Sequence, residues 1–212
     1  MIDYRVYLVT DDPSRYAGDW LENVVAAVEG GVTCVQYRDT ESEPAVQYAR
    51  IRRLQDALAA RHTPLIVNND AELAAAVRAD GVHVGQHDLA PEAVRQIVGP
   101  TCEIGLSVTD LSQVADAAAR LSAGVVDCLG IGPVYDATKT KADAAHEMGL
   151  AGLRAIVSRV PEAPNVAIGG ITPERADGLL LAGAKGLAIV SAFSRSSDPF
   201  AVARQFCAAF AR

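Results

Sequence analysis

The sequence predicts an α/β fold, a single (β/α)8 TIM barrel that takes up residues 1–212 as one domain. Three observations predict it. Eight short apolar runs alternate with eight longer amphipathic stretches. Polar residues follow nearly every apolar run. The 212 residues divide into about 26 per unit, enough for a short strand, a helix and two loops.

The strands are expected at Val6–Val9, Cys34–Tyr37, Leu65–Val67, Gly81–Val84, Glu103–Leu106, Val125–Leu129, Asn165–Ile168 and Gly186–Val190. They read as apolar runs without strict alternation, as strands covered on both faces do. The helices are expected at Trp20–Glu29, Glu43–Arg61, Ala71–Arg78, Pro91–Val98, Leu111–Leu121, Leu150–Arg159, Pro173–Leu181 and Pro199–Phe210. Thr172-Pro173 reads as an N-cap followed by proline at the first helical position. Gly31, Gly81, Gly124 and Gly183 stand where a left-handed residue often stops a helix before the next strand. No linker divides the chain. Right-handed βαβ crossovers close eight such units into a barrel, and an open doubly wound sheet is the alternative.

Half of the residues are hydrophobic and 21% are charged, which supports a large core and argues against disorder. The formal net charge is −7. That speaks against a nucleic-acid partner or an anionic membrane surface, while leaving room for anionic substrates held by local cations and backbone amides. Cys34, Cys102, Cys128 and Cys207 are scattered through apolar surroundings with no CxxC pair, and read as free thiols. No signal peptide and no membrane-spanning run is recognised, so the cytoplasm is the expected location. A homo-oligomer is left open.

A barrel collects its chemistry at the C-terminal ends of the strands. Those ends carry Thr10-Asp11-Asp12, Gln36-Tyr37-Arg38-Asp39-Thr40, Asn68-Asn69-Asp70, Gly85-Gln86-His87-Asp88, Ser107, Gly130-Ile131-Gly132-Pro133, Gly169-Gly170 and Ser191. Gly169-Gly170 after strand 7 and Val190-Ser191-Ala192 after strand 8 read together as a phosphate cradle, because glycine lets the backbone approach an anion. Arg38 offers a forked donor for phosphate, while Lys139 and Lys141 read equally as surface cations. Asp88 is either an oxygen ligand for Mg2+ or a turn or N-cap residue before the helix at Pro91. Asn68 and Asn69 read as turn residues or as amides that reach an anion. Asp70 reads as the N-cap of the helix at Ala71. His83 and His87 read as packed or hydrogen-bonded imidazoles rather than ligands. No nucleophile motif is present.

Nine pieces, from Tyr7-Leu8-Val9-Thr10-Asp11 through Gly81–Asp88 and Thr138–Asp143 to Val190-Ser191-Ala192, run in order along nearly the whole chain. Together they resemble the thiamine-phosphate synthase (thiamine phosphate pyrophosphorylase) family. The resemblance implies a Mg2+-dependent transferase. Its two phosphorylated substrates would be 4-amino-5-hydroxymethyl-2-methylpyrimidine diphosphate and a thiazole phosphate, and its products thiamine phosphate and pyrophosphate. It implies that Gln36, Arg38 and Asn68 surround the diphosphate, that Asp88 and Asn69 stand at the metal, and that Ser107 lies near the pyrimidine and the leaving group. It further implies that Thr138, Thr140 and Lys141 belong to the loop after strand 6, with Lys141 over the diphosphate. Gly170, Val190 and Ser191 would cradle the thiazole phosphate. Arg38, Ser107 and Lys141 would then carry catalysis.

The chain departs from the family pattern at three places. Thr40 stands where a lysine is usual, Asn69 where a second metal carboxylate is usual, and the strand-6 loop reads one residue longer. Lys139 and Asp70 are the candidates to compensate. Two alternatives follow on the same scaffold: a thiazole tautomerase-like isomerase, and a non-catalytic paralogue that binds a phosphorylated ligand. The isomerase pattern has a histidine where this chain has Pro133.

Overall fold

The computed structural model describes residues 1–136 and 146–211. Eight parallel strands close into a barrel in sequence order. They are β1 Val6–Val9, β2 Cys34–Tyr37, β3 Leu65–Asn68, β4 Gly81–Val84, β5 Glu103–Val108, β6 Cys128–Ile131, β7 Asn165–Ile168 and β8 Gly186–Ile189. Closure pairs Tyr7 of β1 with Ala188 of β8. The expected barrel is therefore the observed one.

Side chains alternate across each strand, and the sheet separates two cores. Leu8, Val35, Leu65, Val67, Ile104, Leu106, Leu129 and Ile189 point outward into the layer beneath the helices. Tyr7, Val9, Cys34, Ile66, Cys128, Val166 and Ala188 point into the barrel. The outer shell is α1 Trp20–Glu29, α2 Pro44–Ala59, α3 Ala71–Val77, α4 Pro91–Val98, α5 Val114–Ser122, α6 Gly149–Val157, α7 Pro173–Leu181, α8 Ser191–Ser194 and α9 Pro199–Ala209. Proline occupies the first turn of α2, α4, α7 and α9. Asp19, Asp70 and Asp198 cap α1, α3 and α9 by accepting from backbone amides, which satisfies donors that a helix start leaves open.

The expected elements are present, with five differences. Strand 6 starts at Cys128, not Val125. The amides of Val125 and Val126 return to the Arg120 carbonyl at the end of α5, and pairing with β5 begins only at Asp127, whose amide reaches Ile104 O at 2.8 Å. Gly130 and Ile131 belong to the strand rather than to the loop after it. Gly81 is no left-handed stop, because Arg78 takes that role with φ 54°. A Cβ at Gly81 would lie 3.0 Å from Glu103 O and 3.2 Å from Ile66. Thr172 precedes α7 as expected but makes no side-chain cap bond. The four-residue α8 was not anticipated.

The four thiols are free, and three of them are buried. Among the described residues no helix is long and apolar enough to cross a membrane.

Leu8 is fully buried between β1 and the helices. Leu8→Ala should lower the unfolding free energy by about 3 kcal/mol, the typical cost of a large-to-small change in a packed core. Leu181 is 82% exposed, and Leu181→Ser should change it by less than about 0.5 kcal/mol. Urea unfolding of both variants checks the contrast.

Candidate active site at the C-terminal mouth

At the C-terminal end of the strands the inward positions enclose a cavity of about 180 Å3. Its walls include Gln36, Arg38, Asn68, Ser107, Gly170, Val190 and Ser191, seven of the residues expected at the site. Tyr7, His83, Thr109, Gly130, Gly132 and Pro133 also line it. Below it Tyr4, Ile66, Gly105 and Cys128 close the barrel, leaving no room for water. Asn69 and Asp88 do not line the cavity; both are exposed on the rim just beyond it. Thr138, Lys139, Thr140 and Lys141 lie outside the described residues.

The polar wall is held by its neighbours. Buried Thr10 bridges both backbone groups of Arg38: its hydroxyl accepts from the Arg38 amide at 2.8 Å and donates to the Arg38 carbonyl at 3.1 Å. Buried Gln36 donates through Nε2 to Tyr7 Oη at 2.6 Å. Burial holds the Tyr7 phenol far above its ordinary range, so it remains protonated. Just past Arg38, Asp39 anchors the loop. Its carboxylate accepts from the amides of Glu41 and Ser42, from Arg50 at 2.8 Å and from the Tyr37 hydroxyl at 2.9 Å. Arg50 is thus committed to Asp39, and Thr40 is exposed beside Glu41.

His83 lies on the inner face of β4, and its Nε2 is 3.0 Å from Ser107 Oγ. It is packed and hydrogen-bonded, as read from the sequence, whereas His87 is exposed. Burial pulls the His83 pKa down to about 4 against the opposing pull of the Asp88 carboxylate, so the ring is neutral near pH 7. Asp88 Oδ2 accepts from the Gly85 amide at 2.7 Å, which makes it a turn residue, and Ala90 precedes α4 instead. Asp70 caps α3 through the Leu73 amide at 2.8 Å, as expected.

The opposite wall is made of backbone. Gly169 and Gly170 have φ of +101° and +61°. A Cβ at Gly169 would lie 2.7 Å from Pro133 Cα, and one at Gly170 2.8 Å from Tyr135 Cβ. Only glycine fits this turn without strain. The carbonyls of Ile168, Gly169 and Gly170 are taken by the Val134 amide, the Tyr135 amide and Arg175. The Arg175 guanidinium also stacks 4.2 Å over the Tyr135 ring, pinning the turn from outside. Val190 and Ser191 lead into α8, whose first amides have no carbonyl one turn back to bond. Ser194 donates to buried Asp11 at 3.1 Å and so docks α8 on the end of β1. This wall shares the cavity with Arg38, Gln36, Asn68 and Ser107.

The sequence profile described as Thiamine monophosphate synthase matches residues 6–193. The chain belongs to this family. It is 43% identical over 202 residues to the thiamine-phosphate synthase of Azorhizobium caulinodans, covering 95% of this chain and 92% of that one. It is 41% identical over 209 residues to that of Laribacter hongkongensis, covering 98% and 96%. The solved thiamine phosphate pyrophosphorylase from Pyrococcus furiosus superposes with a TM-score of 0.83 at 30% identity, covering 98% and 95%. Family membership gives the transferase role in thiamine biosynthesis that the strand-end motifs imply.

Tyr7, His83 and Gly130 were missed as wall residues, yet strict inward alternation from Gln36, Asn68 and Ser107 across neighbouring strands would have found them.

Burial alone would raise the Asp39 pKa, but its four hydrogen-bond donors outweigh burial and bring it from 3.8 to about 2. A depressed carboxylate stabilises the fold above its unfolded pKa and loses that contribution as pH falls through the folded value. Asp39→Asn should therefore be less stable than wild type at pH 7. The gap should close between about pH 4 and pH 2 as the wild-type carboxylate is protonated. Urea midpoints measured across that range check it.

Proposed function

We propose that the protein joins 4-amino-5-hydroxymethyl-2-methylpyrimidine diphosphate to a thiazole monophosphate, giving thiamine phosphate and pyrophosphate. One observation carries the reading: a single cavity sets Arg38, Gln36, Asn68 and Ser107 against the backbone of Gly169-Gly170 and Val190-Ser191. Two anions of different size can be held there at once, with their reacting ends together. The bond from the pyrimidine methylene carbon to the diphosphate oxygen breaks, and its electron pair leaves with the diphosphate. The thiazole nitrogen then gives its lone pair to that carbon. Such a step needs charge stabilisation and positioning more than acid–base groups. Arg38 and Ser107 would bear on the departing oxygens. By resemblance Lys141 would cap them, and Thr138 and Thr140 belong to the same loop after strand 6.

The donor set fits Mg2+ that arrives with a diphosphate. Asp88 offers a carboxylate and Asn69 an amide oxygen at the ends of neighbouring strands, hard donors of the kind Mg2+ takes alongside substrate phosphates. Among the described residues no group of three or more His, Cys, Asp or Glu could hold a metal without substrate. Bound there, Mg2+ supplies positive charge to the leaving diphosphate. Asp70, occupied with capping α3, is a poor stand-in ligand.

Ser107 and His83 have the spacing of a hydrolytic pair. A pKa of about 4 makes His83 a weak base for that role. An isomerase reading lacks its histidine, since Pro133 lines the cavity at that place. A cytoplasmic location accords with the synthase reading.

Purified protein given both substrates and Mg2+ should form thiamine phosphate. Thiazole isomerisation alone would favour the isomerase, and ligand-induced thermal stabilisation without product would favour a binding paralogue. Arg38→Met should lower kcat by about 10²–10³.

Chelation should abolish turnover. Asp88→Ala should raise the Mg2+ concentration for half-maximal rate about tenfold. Asp70→Ala should leave that concentration unchanged and lower stability by about 1 kcal/mol. Turnover that survives chelation would remove the metal from the reading.

A further inference from the structure

We infer that His83 is a positioning residue for Ser107: its imidazole donates through Nε2 to Ser107 Oγ and so turns the serine proton into the cavity, toward the departing diphosphate. The inference deepens the reaction read above and rests on it.

The ring has a fitted seat. From β4 it reaches across the inner faces of β5 and β6, where Gly105 and Gly130 present no side chain. A Cβ at Gly130 would lie 2.7 Å from His83 Cε1 and 3.1 Å from Nε2, and one at Gly105 would collide with Nδ1. The imidazole can shift toward neither strand, and Nε2 is left 3.0 Å from Ser107 Oγ. Ser107 is also held from its backbone, since its carbonyl accepts from Gln86 Nε2 at 2.6 Å.

The tautomer follows from satisfaction of donors. Among the described residues Nδ1 has no hydrogen-bond partner, and it faces the Gly105 backbone. A proton on Nδ1 would find no acceptor among the described residues, whereas one on Nε2 has Ser107 Oγ at 3.0 Å, so the proton is assigned to Nε2. A serine hydroxyl has one proton and two lone pairs. Once a lone pair is filled by Nε2–H, the hydroxyl proton must find an acceptor elsewhere. The open side is the cavity, where a diphosphate oxygen supplies one. This reverses a hydrolytic dyad, in which the imidazole accepts the serine proton. The fixed hydroxyl dipole then needs no reorientation when charge develops on the leaving group.

Two measurements on the full chain test this. Long-range 1H–15N correlation of histidine should show His83 as the Nε2–H tautomer, and an Nδ1–H tautomer would overturn the inference whether or not the protein turns over. In the Mg2+-supplemented assay, His83→Leu fills the seat without a donor and should lower kcat about ten- to a hundredfold, with KM for the thiazole phosphate unchanged. His83→Gln keeps an N–H at similar reach and should recover most of the rate. In a Ser107→Ala background, His83→Leu should cost less than about threefold, because the pair acts as a unit. Equal losses in both backgrounds, with thermal unfolding showing all variants folded, would mean that the imidazole only packs. A wild type without product would count against the reaction reading instead.

Discussion

The two-residue period of a strand in a closed parallel sheet governs this molecule. Every residue faces either the helices or the barrel axis, so the last inward residue of each strand has only the mouth to look into. Along β2, β3, β4 and β5 the inward pairs run Cys34 then Gln36, Ile66 then Asn68, Gly81 then His83, and Gly105 then Ser107. Each strand changes from apolar or glycine to polar in one step of the period. The apolar members fill the closed floor, and the polar members make the wall. The core and the side-chain half of the site are therefore built by the same strands.

Strands β6 to β8 follow the other option. Their last inward residues are Gly130, Ile168 and Ala188, with Val190 just past β8, and none offers a side-chain donor. Recognition on that side passes to the backbone, which requires the chain to turn tightly and show its amides. The positive φ values of Gly169 and Gly170 are the cost of that turn. The bonds from Val134, Tyr135 and Arg175 to its carbonyls fix which groups remain free. One half of the mouth thus recognises by side chain and the other by main chain. A substitution in the first half changes chemistry, whereas one in the second changes shape.

Much of this was legible in the sequence, for physical reasons. Buried parallel strands leave apolar runs, prolines mark helix starts, and polar strand ends have no role in a purely structural barrel. Seven wall residues could be named before their positions were known. What escaped depended on tertiary contact. The start of β6 was misplaced because Val125 and Val126 are apolar like a strand, although their amides belong to the closing turn of α5. Four residues of α8 are too few to show a period. The space between Gly105 and Gly130 has meaning only once His83 occupies it. Asp88 reads equally well as ligand or turn residue, because a rim carboxylate can bond its own loop and still offer an oxygen outward.

The charge pattern resolves an apparent conflict between an acidic protein and anionic ligands. The formal charge of −7 is spread over the surface, and at physiological salt its reach falls off over about 8 Å. Among the described residues no Asp or Glu lines the cavity, while Arg38 does. Inside a low-dielectric pocket one guanidinium and a set of fixed amides outweigh a screened surface field. The rim then matters more than the total. Asp39, the carboxylate next to Arg38 in the chain, is bound to Arg50 and Tyr37 and so does not neutralise Arg38. Thr40 and Asn69 are both uncharged, Arg38 is the cation that the described residues place in the cavity wall, and Asp88 stands outside that wall on the rim. On the proposed reading that separation suits a diphosphate with its metal: the fork takes the oxygens, and the rim carboxylate balances the ion without repelling the substrate from the pocket.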